Sequence, residues 1–195
     1  MIINVLCLRR FAVSHTSPFS AVIRYIMELP STTYESRCAL LESHGYQVGF
    51  NLVTLLSLTD SSSPQKTPQL DQSPLPGLIN LDPRNSLSVI KYICKDLWSK
   101  CFQKQITKLQ TNHKGIFVLK DDSFSLLANL PNSASKDADV QALATLTLAY
   151  PCGLIRGALK AFGMQANVTA DFFTDKASLK CTTFHVKISQ GDNSR

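Results

Sequence analysis

Two pairs of glycines, each pair four residues apart, lie inside runs that otherwise read as helix. Gly45 and Gly49 fall in the run from Thr33 to Leu58, and Gly153 and Gly157 in a run from about Ser135 to Gly163. A glycine in a helix interior costs about 1 kcal/mol relative to alanine, so four of them call for a compensating contact. Four-residue spacing puts both members of a pair on one helix face, where the missing side chains let another backbone come close. For Gly45 and Gly49 two neighbours remain open at this point: the chain's own core, or a partner subunit. Leu41, Val48, Leu52, Leu55 and Leu56 lie near the same stripe at helical spacing.

The pattern along the chain predicts further elements. Ser86 is the expected N-cap of a helix from Leu87 to about Phe102, in which Val89, Ile90, Ile93, Cys94, Leu97 and Trp98 repeat at core spacing. Three strand-like runs follow, Gln105 to Gln110, Ile116 to Lys120 and Phe124 to Leu130, separated by turn-forming clusters. The next helix closes on Gly163 as a C-cap and contains Pro151, which is expected to kink or split it. Alternating runs Ala166 to Phe173 and Leu179 to Ile188 predict two closing strands. The order predicts an α+β fold, an antiparallel sheet of four to five strands with helices layered on one face. The main domain is expected over 31–190, with a frayed tail at 191–195.

Several function classes are excluded by spacing. No two glycines have the one-residue or four-residue gaps of phosphate-cradling loops, so Walker and dinucleotide fingerprints are absent. The six cysteines contain no CxxC, and they read as reduced, mostly buried thiols. The longest uncharged apolar stretch, Val140 to Ile155, is shorter than the ~20 residues needed to span lipid. The histidines at 15, 44, 113 and 185 are scattered, and His113 reads as a turn residue. Asp121 and Asp122, adjacent in a predicted hairpin turn, read as solvated. No enzyme is expected, and neither cofactor nor metal is called for.

Three regions stand apart in composition. Residues 1–27 carry Arg9, Arg10 and Arg24 and no acid, so 1–30 reads as an ill-ordered start or as a mitochondrial-type targeting segment. Residues 59–86 hold five of the nine prolines and a serine run, and read as an extended surface insertion. Residues 87–120 hold Lys91, Lys95, Lys100, Lys104, Lys108, Lys114 and Lys120 against the single acid Asp96, which accounts for the net charge of +6. Such a cluster reads either as a solvated face or as an attractor for an acidic protein or anionic lipid, with contact through Lys91, Lys95, Lys100, Lys104 and Lys108. Nucleic acid is not expected, because the segment lacks arginine and interleaved stacking aromatics.

Three stretches, in order, resemble the subunit-6 family of the transport protein particle (TRAPP), a multisubunit vesicle-tethering complex. They are RCALLESHGYQVGFNLV from Arg37, VIKYICKDLWSKCFQKQITKLQTNHKGIFVL from Val89, and CGLIRGALKAFGMQANVTA from Cys152. The resemblance implies an α+β fold and pairing with a related small TRAPP subunit through N-terminal helices. It also implies a scaffold role in an assembly that activates a Rab GTPase by nucleotide exchange, peripheral to the cis-Golgi and ER-Golgi membranes from the cytoplasmic side. The related partner subunit carries a fatty acyl chain on a cysteine after its long helix; residues 58–88 here have no cysteine, so that feature is not carried over. The family's opening helix has no clear counterpart in 1–30, and the insertion at 59–86 departs from the family's short link.

The expected subunit interface is Gly45, Val48, Gly49, Leu52 and Leu56. Gly153, Arg156 and Gly157 are expected to be structural, with Arg156 needing a carboxylate or carbonyl partner unless it reaches solvent. The alternative is a small lipid- or ligand-binding α+β domain outside the TRAPP complex, with a deep cavity near Gly153 and Gly157.

Overall fold

The computed structural model describes residues 18–30, 32–60, 82, 84–128, 138–175 and 178–189. Helix α1 (Pro18–Glu28) buries Ile23, Ile26 and Met27. This differs from the expectation for 1–30. Proline at the first helical position and apolar residues at three- and four-residue spacing are ordinary helix signals, and the arginine bias of the segment obscured them. The remainder of that segment, residues 1–17, lies outside the described residues, as do most of the insertion (61–81 and 83) and the tail from 190 onward.

A short elbow leads into α2 (Tyr34–Asp60), which at 27 residues is about 40 Å long. Thr33 caps it: its Oγ1 accepts from Ser36 N–H at 3.2 Å, and its carbonyl accepts from Arg37 N–H at 3.0 Å. After the insertion, α3 (Ser86–Tyr92) begins one residue earlier than expected, because the capping side chain is that of Asn85, which accepts from Leu87 N–H and Ser88 N–H. The helix then widens into a π-helical segment, Ile93–Leu97, and closes as α4 (Trp98–Phe102). The Cys94 carbonyl in the wide segment accepts from Ile106 N–H at 3.0 Å, tying the next connection to the helix.

Strands β1 (Lys108–Thr111) and β2 (Ile116–Asp121) form the predicted hairpin, turned by Asn112 to Gly115 with His113 at φ 57°. The third predicted strand is absent over its described residues, 124–128, and 129–130 lie outside them. Leu126 and Leu127 of a short helix, α5 (Ser125–Ala128), and Phe124 just before it are buried instead, since apolar residues at spacings of two and one suit a helical turn better than a half-buried strand. Helix α6 (Ala138–Ala161) is continuous through Pro151, so the proline does not split it. Strands β3 (Ala166–Asp175) and β4 (Ser178–Ile188) complete a four-stranded antiparallel sheet of order β1-β2-β4-β3.

The sheet is one-sided. Phe117, Leu119, Asp121, Val168, Phe184 and Val186 are buried, and their alternating neighbours Asn167, Thr169, His185 and Lys187 are exposed. Trp98 is the centre of the core, with its ring 4.5 Å from Phe102, 5.8 Å from Phe124 and 5.3 Å from Phe184.

The glycine pairs interlock with each other. Helices α2 and α6 run parallel and share the most extensive contact in the fold. A Cβ added at Gly45 would overlap the Tyr150 carbonyl oxygen and lie 3.0 Å from Leu154 N; at Gly49 it would overlap Leu154 O. Reciprocally, a Cβ at Gly153 would overlap Glu42 O, and one at Gly157 would overlap Tyr46 O. Each glycine Cα–H therefore points at a carbonyl of the opposite helix, four times over. This also explains why the stretch Val140–Ala161 of α6, apolar and long enough for a membrane, is 78% buried inside the protein.

Gly157→Ala decides the sign of this argument. Alanine in place of glycine within an isolated helix gains about 1 kcal/mol, whereas here backbone must move aside. We expect a net loss of about 2 kcal/mol in urea unfolding, with the m-value unchanged.

Candidate interaction surface

Because α2 presents its glycines to α6, Gly45 and Gly49 are not available to a partner, which corrects the interface expected from sequence at those two positions. The contact that compensates for them is internal. Val48, Leu52 and Leu56 lie on the flank of α2 and are half-buried. Leu55 beside them is 59% exposed, and Leu40 and Phe50 are exposed further round the same helix. Tyr25, on α1, is 67% exposed. A long helix apolar on both its inner and its outer side is expected where a second surface covers it.

The elbow between α1 and α2 is fixed by Arg37. Its Nη2 donates to Leu29 O at 3.0 Å, while Nε is buried and has no partner among the described residues. Tyr34 Oη donates to Ala142 O at 3.2 Å and ties the start of α2 to α6. Burial, together with the neighbouring Cys38, raises the Tyr34 hydroxyl pKa to about 12, so it remains a donor at any physiological pH.

The lysine cluster divides in two. Lys104 is paired with Asp121, and its Nζ also donates to Ser123 O at 2.6 Å. Asp121 is fully buried rather than solvated, a correction to the turn reading. Its other oxygen, Oδ2, accepts from the Trp98 indole N–H at 3.1 Å, and Ser123 N–H donates at 3.0 Å to Oδ1, the oxygen paired with Lys104. The carboxylate is buried because three donors replace the water it lost. Lys104 therefore leaves the set of lysines free to meet a lipid surface. Lys120 pairs with Asp122 at 3.1 Å. Lys91, Lys95, Lys100 and Lys108 are exposed and make no ion pair among the described residues.

Arg156 meets both outcomes left open for it, a carboxylate partner and partial exposure to solvent. Its Nη1 lies 2.6 Å from Glu42 Oε1 and its guanidinium 5.6 Å from the Tyr46 ring centroid. Both side chains are more than a third exposed, so the pair contributes at most about 1 kcal/mol. It nevertheless sits where the glycine ladder sets the register of α2 against α6. Beside it opens a cleft of about 340 Å3, lined among others by Tyr46, Arg156, Lys160, Met164, Ala166 and Asn167. The space near Gly153 and Gly157 is filled by the α2 backbone, which removes the deep cavity on which the ligand-binding alternative depended.

Among the described residues no three His, Cys, Asp or Glu side chains group to hold a metal. Burial pushes the thiols of Cys94, Cys101 and Cys152 up to about 12, which leaves them protonated and unreactive. His185 lies 3.2 Å from Asp171 on the solvent face of the sheet.

The fold places the chain in a structural class. It superposes on the crystal structure of trafficking protein particle complex subunit 3 from Naegleria fowleri, a protein covalently bound to palmitic acid, with a TM-score of 0.60 over 89% of this chain and 92% of that one. At 12% identity that likeness concerns the fold alone. Sequence supplies the rest: residues 16–189 match the family described as Transport protein particle (TRAPP) component. The chain is 36% identical to trafficking protein particle complex subunit 6b of Danio rerio over 154 residues, covering 78% of this chain and 83% of that protein. It is 41% identical to subunit 6B and 42% identical to subunit 6A of Homo sapiens, over 55% and 54% of this chain. Those two matches span 63% and 61% of the human proteins. The chain belongs to the TRAPP component family, in its subunit-6 branch.

Two measurements check the local chemistry. Asp121→Ala strips the acceptor from the Trp98 indole and from Lys104, and should cost about 3 kcal/mol, read as a lower urea midpoint. Iodoacetamide at pH 9 should alkylate Cys38 and Cys181 ahead of Cys94, Cys101 and Cys152. With pKa values raised to about 12, only about one in a thousand of those three thiols is ionised at that pH. Mass-spectrometric mapping that found Cys94 or Cys101 among the first sites modified would contradict their burial.

Proposed function

We propose that the chain is a non-catalytic scaffold subunit of a TRAPP vesicle-tethering assembly and that it works by pairing with another small TRAPP subunit. The observation that carries this reading is the outer flank of α2, which exposes apolar residues along a helix whose inner side is already consumed by α6. The pairing surface is assigned to Val48, Leu52, Leu55 and Leu56 of α2 together with Tyr25 of α1, and excludes Gly45 and Gly49. Family membership supports the choice of partner.

The assembly is the exchange factor for a Rab-type GTPase in ER-to-Golgi and Golgi traffic, and this subunit's part is architectural. The location is the cytoplasmic side of cis-Golgi and ER-Golgi membranes, as a peripheral component. Lys91, Lys95, Lys100 and Lys108 are the residues assigned to contact anionic lipid, each contributing at most about 1 kcal/mol near a charged surface.

Leu55→Glu tests the pairing. Leu55 is exposed in the single chain, so the variant should keep its far-UV spectrum and unfolding midpoint. Co-expressed with the small TRAPP subunits of the same organism, it should lose the co-purifying partner that the parent chain retains. An unchanged, stoichiometric complex would remove this surface from consideration. Gly49→Leu would be uninformative, because it disrupts the chain's own core.

A further inference from the structure

Among the described residues the sheet is open along β3, and Ala166 and Asn167 at the start of that strand line the cleft beside Arg156. Hydrogen bonding fixes which backbone groups face outward. Ser189 N–H donates to Gln165 O at 2.8 Å, toward the β3 side, whereas Ile188 N–H donates to Gly115 O at 2.8 Å, on the opposite side. Backbone groups alternate between the two sides of an antiparallel strand, and the register pairs Asn167 with Lys187 and Thr169 with His185. The odd-numbered residues of β3 therefore bond β4. The N–H and C=O groups of Ala166, Val168, Ala170 and Phe172 point away from the sheet, and among the described residues no strand pairs with them.

Edge strands are ordinarily blunted by brevity, by lysine or by proline. Strand β3 has ten residues and neither lysine nor proline, and its one register irregularity lies at the far end, between Phe173 and Asp175. At the near end the edge runs into the cleft, where Arg156 and Lys160 stand over Met164, Ala166 and the Tyr46 ring. Lys160 makes no ion pair among the described residues.

We propose that the outer edge of β3 is a docking site for an extended, acid-ended segment of a partner protein, which adds to the sheet and sets a carboxylate against Arg156 and Lys160. Charge complementarity selects the acidic end. A small free anion is a poorer fit, because Arg156 already shares its guanidinium with Glu42 and Lys160 lies in the last turn of α6, whose carbonyls carry partial negative charge. Backbone pairing along Ala166 to Phe172 supplies the remaining affinity, as in strand addition. The site uses none of the residues assigned to subunit pairing, so either surface can fail without the other.

The test uses the full-length, isotope-labelled chain as it purifies, titrated with acetyl-Val-Thr-Val-Thr-Glu-Glu, with the same peptide ending in Lys-Lys, and with free glutamate. The Glu-ended peptide should slow hydrogen exchange at the amides of Val168, Ala170 and Phe172, and the Lys-ended peptide should bind about tenfold more weakly. Lys160→Glu, an exposed substitution, should reverse that preference. Ala170→Pro removes an outward N–H while sparing the β4 ladder, and should weaken binding about tenfold with the far-UV spectrum unchanged. Should that variant misfold, Lys160→Glu decides alone. Exchange unaltered at those amides, equal binding of the two peptides, or full displacement by free glutamate would each overturn the proposal.

Discussion

The rest of the molecule depends on two helices being allowed to touch through their backbones. Four glycine Cα–H groups point at four carbonyls across α2 and α6, and each such contact is worth about 0.5–1 kcal/mol. Each glycine costs a helix about 1 kcal/mol, so on these two terms alone the ladder does little better than break even. The gain lies behind it. With the axes this close, Leu41 and Val53 of α2 and Leu154, Ile155 and Ala158 of α6 become fully buried, at about 25 cal/mol per Å2 of apolar surface. The same closeness orients α2, because the face that meets α6 is fixed and the opposite flank must look outward.

Much of this was legible in the sequence, and the misses have physical causes. The long helices, the β1-β2 hairpin and the final strand pair follow from spacing alone. For Arg156 the sequence leaves a partner or solvent open, and the side chain has both, Glu42 and 38% exposure. The destination of the Gly45 and Gly49 face could not be read, because a glycine stripe specifies close approach without saying to what. That a second glycine pair existed on another helix was the available clue, since one stripe can satisfy another. Asp121 was misjudged because adjacency to Asp122 in a turn suggests solvent, while the donors that bury it come from Trp98, on a helix 23 residues earlier in the chain, and from Lys104. Helix α1 was hidden by a charge bias that says nothing about helical periodicity.

The basic segment shows how a charge count can mislead when taken without geometry. One of its lysines neutralises a buried carboxylate and another is paired at the surface, so they serve the core and the hairpin. The remaining exposed cations lie mainly on the helical segment that also supplies Trp98, with its buried side toward the sheet and its charged side toward solvent. A single helical segment thus carries both the aromatic centre of the core and three of the exposed lysines, Lys91, Lys95 and Lys100.

The π-helical segment between Tyr92 and Trp98 makes that division possible. A wide turn holds about one residue more than an α-turn, which resets the angular phase of everything downstream by about 100°. Upstream of it, Val89, Ile90 and Tyr92 set the inward direction; downstream, Trp98 must turn to meet Asp121. In an unbroken α-helix the indole would arrive out of step with the carboxylate, and the Cys94 carbonyl would be occupied by the helix instead of receiving Ile106. The widened turn works as a phase corrector, letting one rod satisfy two separately oriented halves of the core.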